Sequence, residues 1–286
     1  MNAMRAKDPY HPQDLFELVA DTVVSIKTKD GSGSGVVINR GGVAVTNRHV
    51  VETNNKALIG LKNGDKFIGK VIRSYSDIDL AFIKFDLAKS SLINSSLIFS
   101  SNDFNPCCQR KLKVGEPVFA IGHPMGLDYT LTQGIISSTE RTISSCRFIQ
   151  IDVSINPGNS GGALYTAYGE LAGINTMGYV NSEHLNFAIP VNEVVKRYAD
   201  WLEEEAKGLT HYCAVCGFSS ANEKYCENCG ASLNRDSSEE DDFLGKSDLS
   251  EELKISMKND ALVACKACGI STSASLKYCS NCGCTL

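Results

Sequence analysis

The stretch Asn156-Pro157-Gly158-Asn159-Ser160-Gly161-Gly162-Ala163-Leu164 decides how the rest of the chain is read. A serine hydroxyl is a poor nucleophile until a base takes its proton and fixed donors receive the charge that develops on the attacked oxygen. Glycines on both sides of Ser160 meet the second need. Gly158, Gly161 and Gly162 reach backbone conformations closed to other residues, so peptide N–H groups can converge on one point. The N–H groups of Gly158 and Ser160 are the candidate oxyanion donors. Taken alone, the stretch also reads as a glycine-rich turn with an incidental serine.

Two upstream stretches bear on that choice. His49 lies in Val45-Thr46-Asn47-Arg48-His49-Val50-Val51, where a buried strand gives way to a short turn. A neutral imidazole there can accept the Ser160 proton and return it to a leaving amine. A lone histidine beside an apolar run is otherwise a structural residue. Asp79 follows Asp77 and Ile78 and heads the apolar run Leu80-Ala81-Phe82-Ile83. It reads either as an acid that enters the interior to hold the imidazole or as a solvated strand-end carboxylate.

Around these residues the chain is rich in short β-prone runs separated by turn signals. After a helix expected from Pro12 to Ala20, the first set is Thr22 to Lys27, Ser34 to Ile38, Val43 to Thr46, Ala57 to Leu61, Lys66 to Ile72 and Asp79 to Phe85. Ser101 to Lys113 reads as a polar connection. The second set is Pro117 to Ile121, Tyr129 to Ser138, Arg147 to Asp152, Ala163 to Tyr165, Glu170 to Thr176 and Leu185 to Ile189. Two sets of this kind predict an all-β architecture of two six-stranded barrels with a cleft between them. A C-terminal helix over Val191 to Lys207 follows, with Asn192 as its cap and Val194, Val195, Tyr198 and Leu202 on its buried face.

Gly33-Ser34-Gly35-Val36-Val37-Ile38, Thr46-Asn47-Arg48-His49-Val50, Asp77-Ile78-Asp79-Leu80-Ala81 and the Ser160 stretch, in this order and spacing, resemble the HtrA/Deg branch of the trypsin-like serine proteases. The resemblance covers roughly residues 15 to 205. It implies that His49 is the general base, Asp79 the orienting acid in preference to Asp77, and Ser160 the nucleophile, with Gly158 and Ser160 forming the oxyanion hole. It also implies that the segments carrying Asn175, Thr176 and Phe187 pair with substrate and wall its specificity pocket. Ser154 then falls at the pocket base, and its lack of charge predicts cleavage after uncharged, small or medium apolar residues. Catalysis of this kind needs no cofactor. The implied substrates are unfolded or damaged proteins, and the implied assembly is a homotrimer in which Tyr10 and Phe16 take part. Ala163 stands where the family usually has proline, and no room remains for a PDZ domain between Lys207 and the tail.

That tail is set by cysteine spacing. Cys213, Cys216, Cys226 and Cys229 form two CxxC pairs, and Cys265, Cys268, Cys279 and Cys282 repeat the arrangement. Two thiolates on one tight turn can face a single ion, and two such turns complete the tetrahedral sulfur set typical of zinc. Gly217, Gly230, Gly269 and Gly283 follow the second cysteine of each pair, and Lys224-Tyr225-Cys226 recurs as Lys277-Tyr278-Cys279. The segments resemble short zinc ribbons, and two structural Zn²⁺ ions per chain are expected. Disulfides are the competing reading. Cys107, Cys108, Cys146 and Cys284 are left as free thiols.

The expected organisation is an N-terminal arm over 1–14, a protease domain over 15–207, ribbons over 211–233 and 261–286, and an acidic linker over 234–260. In the linker, Asp248, Leu249, Glu251, Leu253 and Met257 are placed for a short capped helix. The chain has 286 residues, 43% of them hydrophobic, and a net charge of −5. Without a basic run, no nucleic-acid partner is expected. The first twenty residues hold Arg5, Lys7, Asp8, Asp14 and Glu17 and no apolar core of a signal peptide, and no run is long enough to span a bilayer. The expectation is a soluble cytoplasmic protein acting on protein or peptide substrates. The alternative is a protein-binding or chaperone-like module whose ribbons recruit partners while the barrels are weak or idle.

Overall fold

Side chains on a strand alternate between its two faces, and in the runs Val43–Asn47, Ala163–Thr166 and Leu171–Thr176 both faces are buried. The computed structural model describes residues 8–90, 111–123, 129–155, 158–176, 185–209, 211–233, 262–264 and 271–273. After the helix α1 (Pro12–Val19) and a single 3₁₀ turn come β1 (Val23–Lys27), β2 (Ser32–Asn39), β3 (Val43–Asn47), the short helix α2 (Arg48–Val51), β4 (Lys56–Gly60), β5 (Lys66–Tyr75) and β6 (Leu80–Lys84). These strands close into an antiparallel barrel in the order β1-β2-β3-β6-β5-β4. A second closed barrel follows, built from β7 (Pro117–Gly122), β8 (Thr130–Ile143), β9 (Cys146–Ile151), β10 (Ala163–Thr166), β11 (Leu171–Thr176) and β12 (Asn186–Pro190). The helix α3 (Val191–Ala206) leaves the last strand directly.

Ala44, Ala81, Ile83, Val24 and Ile26 fill the first barrel, while Val118, Ala120, Ile149 and Leu164 fill the second. Their alternate neighbours Val43, Val45, Leu80, Phe82, Phe119 and Ile121 meet between the barrels, joined by Leu15 and Val19 of α1 and by Tyr198 and Trp201 of α3. This largest cluster fixes the relation of one barrel to the other. Phe82 is fully buried in it, and its truncation to alanine would cost about 3–5 kcal/mol.

The helices start as proline dictates. Pro12 sits in the first turn of α1, where its missing N–H is no loss. In α3 the cap residue is Pro190, so Asn192 is not the cap expected from the sequence. The buried stripe of α3 is Val191, Val194, Tyr198 and Trp201. Tyr10 and Phe16 pack against the core of their own chain, with Phe16 edge-on to Tyr129.

The first cysteine segment is a small hairpin, β13 (His211–Tyr212) with β14 (Ser219–Ser220), pairing Tyr212 with Ser219. The second repeats it in β15 (Leu262–Ala264) and β16 (Ser271–Ser273), where Ala264 pairs with Ser271 at the equivalent positions of the repeat. Cys107, Cys108, Cys265, Cys268, Cys279, Cys282 and Cys284, and the helix expected around Leu249, lie outside the described residues. Among the described residues, no helix is long and apolar enough to cross a membrane.

Candidate active site

His49 stands in α2, one turn that begins where β3 ends, and Asp79 stands just before β6, the strand paired with β3. Pairing Asn47 with Leu80 therefore brings the two residues together. Asp79 is not the first residue of a strand, as the sequence suggested, but a turn residue with a φ of +56°, a left-handed conformation that aspartate tolerates better than most residues. That turn leaves the whole carboxylate free to face α2. Its Oδ1 accepts the backbone N–H of His49 at 3.0 Å, and its Oδ2 lies 2.7 Å from His49 Nδ1. Its carbonyl accepts from Arg48 N and from Asn47 Nδ2, both at 3.1 Å. A carboxylate only accepts, so Nδ1 carries a proton, and in the neutral imidazole Nε2 keeps its lone pair. The two side chains are about one-third exposed, so the pair opens towards the cleft.

Asp77 is engaged elsewhere. Its carboxylate pairs with Arg197 of α3, and its carbonyl accepts from Cys146 Sγ.

The Ser160 loop is pressed against the same turn from the second barrel. Gly161 has a φ of +81°, and a Cβ there would fall 2.2 Å from the Ser34 carbonyl and 2.3 Å from Thr46 Oγ1. Only glycine permits this approach, three residues before His49 in the chain. A Cβ at Gly33 would likewise meet Val50 at 2.6 Å and the Ser160 carbonyl at 3.0 Å. The loop is then tied down: Ser34 N–H donates to the Ser160 carbonyl at 2.8 Å and Gly161 N–H to the Asn175 carbonyl at 2.9 Å. Ser160 is 7% exposed. Among the described residues its hydroxyl makes no hydrogen bond, and neither the Gly158 nor the Ser160 N–H is taken by another backbone carbonyl.

Residues expected at the substrate divide into two groups. Asn175 is fully buried, and its Nδ2 donates to the Ala163 carbonyl at 2.9 Å. Its side chain therefore ties β11 to the start of β10, just past the Ser160 loop. The Thr176 hydroxyl donates to Asp79 Oδ2 at 3.1 Å, joining the two barrels at the carboxylate. Ser154 is exposed just past β9, and Phe187 is buried on β12 opposite Thr176, edge-on to Phe148.

The four cysteines of the first module have their Sγ atoms within 4.8 Å of one another, with Cys213 and Cys229 at 3.6 Å and Cys216 and Cys226 at 3.6 Å. A disulfide would need about 2.05 Å. Four thiolates held tetrahedrally at about 2.3 Å from one zinc lie about 3.8 Å apart, so the donor set fits that ion. Gly217 and Gly230 have φ of +75° and +72° and close each knuckle by donating back to Cys213 and Cys226.

This module is docked on the first barrel. Arg48, the residue before His49, donates from Nη2 to the Ala214 carbonyl at 3.3 Å. Arg73 of β5, almost fully buried, donates to the Gly217 carbonyl and, from Nη2, to Glu204 of α3 at 3.1 Å. Ser219 donates to the other oxygen of Glu204 at 2.6 Å, and Tyr212 packs on the core of the barrel. None of these contacts was foreseen from the sequence. Arginines in a strand and a turn carry no signal of a partner more than a hundred residues away.

Residues 33–174 match the family model for a trypsin-like peptidase domain. A crystal structure of a serine endoprotease from Yersinia pestis superposes with a TM-score of 0.58 at 32% identity, covering 70% of this chain and 69% of that one. The chain belongs to the trypsin-like peptidase family. Within this family it is similar to HtrA/Deg-type proteins. It is 35% identical over 195 residues to the serine endoprotease DegS of Salmonella typhimurium, over 65% of this chain and 52% of that protein. It is 39% identical over 192 residues to the chloroplastic Protease Do-like 1 of Arabidopsis thaliana, over 64% of this chain and 40% of that protein. The chain thus spans only about half or less of the length of these two relatives.

Proposed function

We propose that this peptidase-family chain is an HtrA/Deg-type serine endopeptidase that cuts unfolded or damaged proteins through an acyl-enzyme. The observation that carries the reading is the 2.7 Å hydrogen bond between His49 Nδ1 and Asp79, formed beside a serine loop that only glycine allows to come so close. In this account His49 Nε2 takes the Ser160 proton as Oγ attacks the scissile carbonyl, and the imidazolium then protonates the leaving amine. Asp79 holds the tautomer and offsets the imidazolium charge. The N–H groups of Gly158 and Ser160 receive the oxyanion, and water attacking by the same route releases the acid. Substrate binding closes the hydroxyl–imidazole contact that is open here, since catalytic hydrogen bonds commonly tighten only in the complex. The uncharged Ser154 supports cleavage after small or medium apolar residues.

The cysteine modules fit this account as zinc ribbons with a structural role. Cys213, Cys216, Cys226 and Cys229 would hold one zinc, and the repeated set Cys265, Cys268, Cys279 and Cys282 a second. The metal supplies folding free energy to a segment too small for its own core. Docking of the first module beside Arg48 and Arg73 supports control of the catalytic barrel over mere recruitment of substrates. Unpaired thiols of this kind need a reducing compartment, in keeping with the cytoplasm.

The test is direct. Ser160→Ala abolishes cleavage of dye-labelled casein while the protein stays folded. Cleavage that persists in this variant contradicts the reading.

A further inference from the structure

Ser34 lies between Gly33 and Gly35 in β2, is fully buried, and has every polar atom engaged. Its N–H donates to the Ser160 carbonyl at 2.8 Å, and its own carbonyl accepts from Thr46 Oγ1 at 2.6 Å. Its hydroxyl lies 2.6 Å from the Gly158 carbonyl and 2.8 Å from the backbone N of His123. The directions of these last two bonds are forced. A backbone N–H can only donate, so the hydroxyl oxygen accepts from His123, and its single proton is left for the Gly158 carbonyl. A strand of the first barrel thus grips the nucleophile loop of the second at two carbonyls, those of Gly158 and Ser160.

We infer that Ser34 is a positioning residue for the oxyanion hole, because it fixes the Gly158–Asn159 peptide, the unit between the two amides assigned to the developing charge. The inference rests on the serine-peptidase reading. Gly158 has a φ of +103°, open in practice only to glycine, so its carbonyl is free to rotate unless something holds it. Rotating that middle peptide swings the two flanking N–H groups apart. The Ser34 proton holds it, and the His123 N–H keeps the Ser34 proton pointed the right way. The side chain must be small for this. A Cβ on Gly122 would already lie 2.9 Å from Ser34 Oγ and 2.8 Å from Asn159 Oδ1.

The experiment compares full-length wild type, Ser34→Ala, Ser34→Cys and Asn39→Ala. Asn39 lies at the far end of the same strand and donates to Tyr198 at 2.7 Å, so its loss shows what destabilisation alone does. Turnover of a fluorogenic peptide with alanine or valine at the cleavage position separates kcat from KM, and a peptidyl boronate of the same sequence reports how well a tetrahedral adduct is held. Removing a direct oxyanion donor typically lowers kcat about 10²–10³-fold, so loss of its support is expected to lower kcat about 10- to 100-fold in Ser34→Ala with KM within about 3-fold. Boronate inhibition weakens by about the same factor as kcat. Asn39→Ala keeps the wild-type kcat at a temperature where it is folded. Where Ser34→Ala does not fold, Ser34→Cys, a weak donor of similar size, carries the same test with a smaller loss. Wild-type kcat and boronate affinity in a folded Ser34 variant would overturn the inference and leave the peptidase reading standing. No turnover and no boronate binding by the wild type would remove both.

Discussion

The hydroxyl of Thr176, on β11 of the second barrel, donates at 3.1 Å to the carboxylate of Asp79, which belongs to the first. The acid that orients His49 is therefore shared between the two barrels, and its position depends on their docking. Thr176→Val removes this bond at nearly constant volume. It is expected to lower kcat about 10-fold, with KM within about 3-fold, while Thr176→Ser keeps near-wild-type kcat. A rise in KM at unchanged kcat would instead make Thr176 a substrate contact, as the family resemblance of its segment implies.

Asp79 and Asp77 are separated by one residue, yet only Asp79 faces His49. Asp79→Asn should lower kcat by a factor on the order of 10⁴, the scale seen when the buried acid of such a triad is neutralised. Asp77→Asn breaks an ion pair whose acidic side chain is half exposed, so kcat should stay within about 3-fold and stability change by less than about 1 kcal/mol. Steady-state kinetics on the two purified variants decides, and the reverse pattern would reassign the acid.

What could be read from the sequence was what local pattern carries. Short β-prone runs between turn signals placed all twelve barrel strands, both where nearly every residue is buried, as in β3 and β11, and where one face is open, as in β8. Gly161 and Gly162 marked the Ser160 loop as one with backbone conformations closed to other residues, and the Cys213–Cys229 spacing marked the sulfur cluster. Ends governed by backbone geometry were missed. β8 continues five residues past Ser138 because Ser144 and Ser145 both take positive φ and close a two-residue hairpin, a turn usually signalled by Asn-Gly. Pairings between distant polar groups were equally invisible. The Asn175 side chain bonds the Ala163 carbonyl, Thr176 bonds Asp79, and Arg48 and Arg73 bond the cysteine module, none of which leaves a periodic trace.

Docking of the cysteine module predicts that metal and catalysis are linked. Treatment with a zinc chelator should release the metal, lower the thermal midpoint, and reduce peptide and casein cleavage in parallel. Loss of casein cleavage alone would indicate recruitment. Arg73→Ala removes a part-buried ion pair and leaves Glu204, among the described residues, held by the Ser219 hydroxyl alone, so it should lower the thermal midpoint. The same variant should make residues 211–233 sensitive to limited proteolysis by an added protease.

Burial pushes the Glu205 carboxyl above its ordinary range, with Lys84 and Lys70 pulling the other way, and among the described residues its Oε2 has no hydrogen-bond partner. A pKa raised on folding means that the folded state binds the proton more tightly than the unfolded chain, so ionisation at neutral pH opposes folding. Glu205→Gln should therefore raise the thermal midpoint at pH 7, by about 1–3 °C. The advantage should shrink as the pH falls from neutral towards the ordinary carboxylate range, where the folded wild type takes up the proton, and should be gone below that range. Thermal melts across pH 4 to 8 test the sign, and a midpoint lowered at pH 7 would refute it.

The central claim is that folding turns Ser160 into an activated nucleophile. Reaction of the full-length protein with a fluorophosphonate, followed by mass-spectrometric mapping of the modified peptide, tests it most directly. A single adduct on Ser160, formed at least about 100-fold more slowly in His49→Ala, is the expected result. A folded wild-type protein that stays unlabelled, or that carries the adduct on another residue, would contradict the account.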